Sequence, residues 1–150
     1  MLDTFQPLLA AAEGIDLTDA DAACAELEKR FNPTSDEAQA LNAALKALLA
    51  DGAIADRGEL PVKWGRVAKA TDESRDFSID VVHMNGAGPR HRHPNGEVNW
   101  CVTLSGEPAF EGQSNGWVVM APDSVHVPAV TGGEMLIVYL LPQGAMEFLK

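Results

Sequence analysis

Positive charge is scarce in this chain. Eleven lysines and arginines face 22 aspartates and glutamates over 150 residues, leaving a formal net charge of −11. Proteins that grip phosphate backbones need clustered Lys and Arg to displace counterions, so nucleic acid is not an expected partner. The excess of acid is uneven: residues 1–60 carry 12 acids and 4 bases, whereas residues 61–150 carry 10 and 7. Cysteine is nearly missing as well. Cys24 and Cys101 fall in segments of different type with no CxxC spacing, so no disulfide is required and both thiols are expected to be reduced. No apolar run approaches the roughly 20 residues that cross a bilayer. The opening MLDTFQPLLAAAEG has no basic stretch, and Asp3, Pro7 and Glu13 break its apolar run, unlike a secretory leader. A cytoplasmic location without membrane attachment is the expectation.

What the chain does contain changes character near residue 58. Up to Gly52 the apolar residues recur at helical spacing. TDADAACAELEKRF opens with Thr18, followed three residues later by Asp21, a capping-box-like start. It then sets Ala22, Ala23, Leu27 and Phe31 at helical intervals until Asn32-Pro33 stops it. TSDEAQALNAALKALLADG follows, with Thr34 or Ser35 as N-cap, Leu41, Leu45, Leu48 and Leu49 on one face, and Gly52 as terminator. A shorter helix is expected within residues 3–13. After RGELP the pattern shortens to VKWGRVAKA, DFSIDVVHM, EVNWCVTL, GWVVMAP, SVHVPAV and EMLIVYLL, divided by GAG, HPNGE, EGQSNG and TGG. Strands that follow one another with no helix between them pair antiparallel. The spacing therefore predicts one α+β domain, in which a helical segment over residues 1–58 packs on an antiparallel β-barrel over residues 59–150.

Histidine is also rare, four in all, yet two crowd into GPRHRHPNGEVNW. Alternate side chains of a strand share a face, so His91 and His93 project together while Arg90 and Arg92 project the other way. The PNG turn then returns Glu97 to the histidine side, and GWVVMAPDSVHVP supplies His126 from another strand. A lone histidine reads as an ordinary turn or core residue. Four ligand-type residues in two segments read instead as a site for one divalent ion, with Fe, Mn, Ni and Zn all suited to three imidazoles and a carboxylate. If Glu97 faces inward, so do Asn99, Cys101 and Thr103. Val98, Trp100, Val102 and Leu104 then form an apolar outer face needing cover from the helices, a second sheet or another copy of the chain, which makes a homodimer a candidate assembly.

These two segments resemble the two motifs of the cupin superfamily: a Gly-rich lead, HxH, three or four residues and Glu, then Gly, a strand, a Pro/Gly turn and His. The resemblance covers residues 60–142 and implies a jelly-roll-like barrel with His91, His93, Glu97 and His126 as metal ligands. Three details depart from the pattern. The interval from Glu97 to Gly106 is longer than usual, Asp123 or Ser124 stands where a turn glycine is common, and Val130 replaces the common terminal Asn. Taken with the acidic helical leader, GELPVKWGRVAK, GPRHRHPNGEVNWC, GWVVMAPDSVHVP and LIVYLLPQGAMEF further resemble the small 4-hydroxylaminobenzoate lyase family of nitroaromatic-degrading bacteria. That likeness implies an enzyme converting 4-hydroxylaminobenzoate to 3,4-dihydroxybenzoate (protocatechuate) with release of ammonia.

A small aromatic carboxylate as substrate calls for a cation, and the planar fork of arginine suits it best. Arg66 is the candidate, weighed against a surface ion pair. His83 and Tyr139 are candidates for proton transfer, weighed against buried hydrogen-bonded roles, and Asn99 for polarising substrate, weighed against a structural hydrogen bond. Cys101 is expected as a small buried apolar residue, and Trp64 and Trp117 as core. Two other functions fit the same ligands: an Fe(II)-dependent cupin dioxygenase of an aromatic compound, and a non-catalytic cupin that binds a metal or small ligand. Anaerobic ammonia release separates the lyase from the first.

Overall fold

Short polar side chains decide where the helices begin. The computed structural model describes residues 1–149, with helices α1 at Leu2–Ala12, α2 at Ala20–Arg30 and α3 at Asp36–Ala50. The start of α2 differs from the expected Thr18 cap. Asp19 is the N-cap, its carboxylate accepting the Ala22 N–H at 3.1 Å. Thr18 is held in a turn by Asp16, whose Oδ1 accepts from both the Thr18 N–H and its hydroxyl, at 2.9 and 2.7 Å. At α3 the cap is Ser35, whose Oγ accepts the Ala38 N–H. The helix closes as the N–H groups of Gly52 and Ala53 reach back to the carbonyls of Leu49 and Leu48.

Nine strands follow among the described residues: β1 Arg57–Glu59, β2 Val62–Ala68, β3 Phe77–Met84, β4 His91–His93, β5 Glu97–Phe110, β6 Gly116–Met120, β7 Ser124–His126, β8 Val130–Pro142 and β9 Glu147–Phe148. Six make one sheet in the order β1-β2-β3-β8-β5-β6, and three make a smaller sheet in the order β7-β4-β9. Every pairing is antiparallel. The result is a jelly-roll-like α+β fold whose two sheets stay separate and do not close into one continuous barrel.

TGG, expected to divide strands, lies inside β8. Long β5 and β8 run together past two register shifts, after Thr103 and after Gly106, and there the backbones come unusually close. A Cβ on Gly133 would lie 2.1 Å from the Ser105 carbonyl oxygen, and one on Gly132 would lie 2.4 Å from that of Glu107. These glycines serve close backbone approach at a bulge, which short motifs do not distinguish from a turn.

Alternation along β5 and β8 builds two interiors. Val98, Trp100, Val102, Leu136, Val138 and Leu140 pack with Phe5, Leu8 and Leu9 of α1, Leu27 of α2, and Leu41 and Leu45 of α3. The chain's own helices thus cover the apolar face around Trp100, the face that suggested a dimer. Polar pins fix that cover. Trp100 Nε1–H donates to Asn42 Oδ1 at 2.8 Å and Trp117 Nε1–H to the Phe31 carbonyl at 2.9 Å, with the Phe31 ring 5.3 Å from that of Trp100. The other parity, Cys101, Met135, Ile137 and Tyr139, gathers Val82, Met84, Phe110, Val118 and Val130 on the opposite face. Both cysteines are free thiols, and Cys101 is fully buried.

Candidate metal centre

In β4 the alternation is as the sequence requires. His91 and His93 turn into the protein, while Arg92 turns out to ion pairs with Asp123 and Glu147. The chain then reverses through Gly96, whose N–H bonds the His93 carbonyl at 3.2 Å with φ +86°. A side chain there would meet Leu17 and the Met120 carbonyl at about 3 Å, so only glycine permits a turn this tight beside the helical segment. Glu97 emerges from it as the first residue of β5, fully buried.

His126 arrives from β7, paired with β4 so that His91 faces His126 and His93 faces Ser124. The departures noted in that motif have concrete roles. Asp123 adopts φ +64° in place of a turn glycine, which aspartate tolerates better than most residues, and its N–H binds the His93 carbonyl at 2.7 Å. Ser124, next to it, meets the His93 Nδ1 through its hydroxyl at 3.0 Å.

One atom each of His91, His93, Glu97 and His126 lies within 4.8 Å of the others. Glu97 Oε2 stands 2.9 Å from His93 Nε2 and 3.7 Å from His91 Nε2, and the Nε2 atoms of His91 and His126 are 3.1 Å apart. Each residue is held from behind. His91 Nδ1 meets the Pro89 carbonyl at 3.1 Å, His126 Nδ1 meets Glu111 Oε1 at 2.9 Å, and the Asn99 amide donates to Glu97 Oε1 at 2.7 Å. A carbonyl only accepts, so His91 Nδ1 carries the hydrogen, and the Glu111 carboxylate asks the same of His126. The two Nε2 lone pairs therefore confront each other, an arrangement that calls for a cation between them. His93 Nε2 and Glu97 Oε2, despite their closeness, are buried without a hydrogen-bond partner. Unpaired inward lone pairs with satisfied outer atoms are what a borderline divalent ion requires, and these residues fit one.

Electrostatics keep the group in its ligand form. Burial alone would raise the Glu97 carboxyl, but its polar neighbours, the Asn99 amide donor among them, outweigh it and hold the group at about 2. Burial lowers the His126 imidazole, partly offset by its bond to Glu111, so its inward nitrogen stays unprotonated at neutral pH.

Beside this group lies a cavity of about 560 Å³, with His91 in its wall among Val62, Trp64, Val82, Met84, Tyr139 and Leu141. Arg66 and Asp80 stand at its edge, Arg66 Nε and Nη2 donating to the two Asp80 oxygens at 2.9 and 3.3 Å. Arg66 is thus both a half-exposed ion-pair member and part of the lining. Tyr139 lines the cavity with its hydroxyl only 3.8 Å from Met84 sulfur, and burial raises that hydroxyl well above the usual tyrosine range. It stays protonated and serves as a donor. Asn99 is fully buried outside the lining, committed through its amide to Glu97. His83 is not part of the lining. It sits on β3 between the cavity residues Val82 and Met84, hence on the other face, 3.3 Å from Glu134. Trp64, expected in the core, is 48% exposed, lines the cavity and carries the Arg57 guanidinium 5.5 Å from its ring centre. A second hollow of about 520 Å³, along residues 12–18 and 75–77, includes none of these four residues.

Sequence reasoning missed Glu111, the Pro89 carbonyl and the wall residues Met146 and Phe148. Glu111 reaches His126 across 15 positions from a different turn, and no local pattern signals it. The ending PQGAMEF, which carries no strand pattern of its own, returns to β4 as β9 through long-range pairing.

An antiparallel two-sheet fold that gathers HxH, Glu and His from neighbouring strands is cupin-type, here with a largely buried four-residue group able to hold a metal ion. Within that class, the chain belongs to the PnbB family, 4-hydroxylaminobenzoate lyase, whose model matches residues 6–148. A 4-hydroxylaminobenzoate lyase of Nocardioides sp. is 33% identical over 91 residues, which are 55% of this chain and 54% of that one. The match thus spans about half the length of that relative. A protein of the same name from Pseudomonas putida is 27% identical over 140 residues, 81% of this chain and 80% of the other. Among solved structures, an RmlC-like cupin from Ralstonia eutropha aligns with a TM-score of 0.46 and 15% identity, over 61% of this chain and 62% of its own. No helix among the described residues is long and apolar enough to cross a membrane.

Proposed function

We propose that this chain is a metal-dependent lyase that takes 4-hydroxylaminobenzoate and water to 3,4-dihydroxybenzoate and ammonia, a step in nitrobenzoate breakdown. The observation that carries the reading is the double placement of His91. It belongs to the four-residue group and also forms part of the cavity wall, so a ring held in the cavity has a substituent beside the ligands. Family membership and the names of the two relatives support the substrate.

His91, His93, Glu97 and His126 would hold one divalent ion, Fe, Mn, Ni or Zn, which when bound supplies Lewis acidity toward the hydroxylamino oxygen. The protein's own residues do the rest. Val62, Trp64, Val82, Met84 and Leu141 enclose the ring and keep bulk water from it. Arg66 keeps donors beyond those given to Asp80 and meets the ring carboxylate at the cavity edge, with Asp80 holding the guanidinium in plane. Tyr139, protonated and inside the lining, donates a hydrogen bond to the departing oxygen. Asn99 holds Glu97 in place through its amide hydrogen.

The test is anaerobic incubation of purified, metal-analysed protein with 4-hydroxylaminobenzoate. One ammonia and one 3,4-dihydroxybenzoate per substrate are expected without oxygen, and His93→Ala should lose both metal and turnover. A strict oxygen requirement would replace the lyase with a dioxygenase, and binding without product would leave a ligand-binding cupin.

A further inference from the structure

We propose that Glu111 is a positioning residue for the centre: its carboxylate selects the Nδ1–H tautomer of His126 and thereby keeps the Nε2 lone pair directed at the other ligands. The inference rests on reading the four residues as a divalent-metal site. His91 is fixed by a backbone carbonyl, and His93 is fully buried against Ser124. His126 is the most exposed of the four, on a three-residue strand between Val125 and Val127, both more than 40% exposed.

A neutral imidazole can carry its hydrogen on either nitrogen. In the Nε2–H tautomer, His126 would donate to His91 Nε2, 3.1 Å away, and the two histidines would satisfy each other across the space meant for an ion. Glu111 opposes that state, because it would set the bare Nδ1 against a carboxylate oxygen at 2.9 Å. The backbone adds an independent sign. Glu111 sits at φ +49°, before Gly112 at +79°, in a turn closed by reciprocal bonds between Phe110 and Gln113. A glycine at position 111 would adopt that conformation with less strain, yet the position holds a glutamate whose side chain, among the described residues, bonds only to His126.

The test compares wild type, Glu111→Gln and Glu111→Gly by three readouts: Co(II) affinity from chelator competition, ¹⁵N shifts of the His126 ring in the metal-free protein, and thermal unfolding of the metal-free protein. An amide offers a donor as readily as an acceptor, so glutamine fills the space without choosing the tautomer. Both variants should bind Co(II) about 10- to 100-fold more weakly and show His126 shifted toward the Nε2–H form. Glu111→Gly should melt no earlier than wild type. Co(II) affinity within twofold of wild type in Glu111→Gln, an unchanged tautomer, or a fall in affinity that merely tracks lost thermal stability would overturn the proposal. If wild type itself fails to bind Co(II) while its ring shifts are as expected, the metal reading falls and takes this role with it.

Discussion

Cys101 shows how much a single position depends on its neighbours' packing. Burial pushes its thiol far above the ordinary value of 9.0, with the nearby Glu97 charge adding to the effect. The folded chain therefore keeps a proton that the unfolded chain releases once pH passes about 9, and stability must fall as pH rises beyond that point. The expected slope approaches about 1.4 kcal/mol per pH unit. Denaturant unfolding at pH 8 and pH 9.5 should show it, and Cys101→Ala should make the slope over that window clearly shallower, leaving the smaller contribution of partly buried Cys24, whose thiol burial also raises, and the onset of that of Tyr139. An equally steep wild type and variant would count against the assignment. At this scale the sequence was most informative for the convergence of His91, His93, Glu97 and His126, because HxH, a glycine turn, Glu and a later His name side chains whose strand parity dictates their direction. It was least informative for partners. That Arg66 meets Asp80 and His83 meets Glu134 is settled by which strands lie side by side, and that pairing is not local.

Among the elements, α2 offers a sharp comparison. Asp19→Ala removes the carboxylate that satisfies the Ala22 N–H and should cost about 1 kcal/mol. Thr18→Ala, at the position the capping pattern favours, should cost clearly less, since Thr18 only decorates the Asp16 turn. Paired urea melts decide between them, and the reverse order would restore Thr18 as the cap. The β5–β8 crossing is less forgiving. Gly133→Ala would drive a methyl group into the Ser105 carbonyl and should destabilise by on the order of 3 kcal/mol or prevent folding; near-neutral unfolding would show that the two strands can part. Helix extents were readable because caps and apolar spacing are local. The lengths of β5 and β8 were not, since glycines at a bulge and glycines at a turn look alike until the partner strand is known.

For the molecule as a whole, the helical segment and the sheets share one interior. Removing residues 1–52 would strip cover from Trp100, Trp117 and Val98, and the remainder should aggregate or bind hydrophobic dyes strongly. A soluble, dye-silent remainder would show that the strands fold independently. The charges of the acid-rich first third lie largely on helix faces turned from the core.

β5 draws two unlike worlds from one alternating run: Glu97, Asn99 and Cys101 on one side, Val98, Trp100 and Val102 on the other. Were the strand to slide by a single position while folding, a bare negative charge would be pressed into oily surroundings beneath the helices, and valine would be left facing imidazoles. The buried polar cluster therefore also proofreads how the chain is threaded.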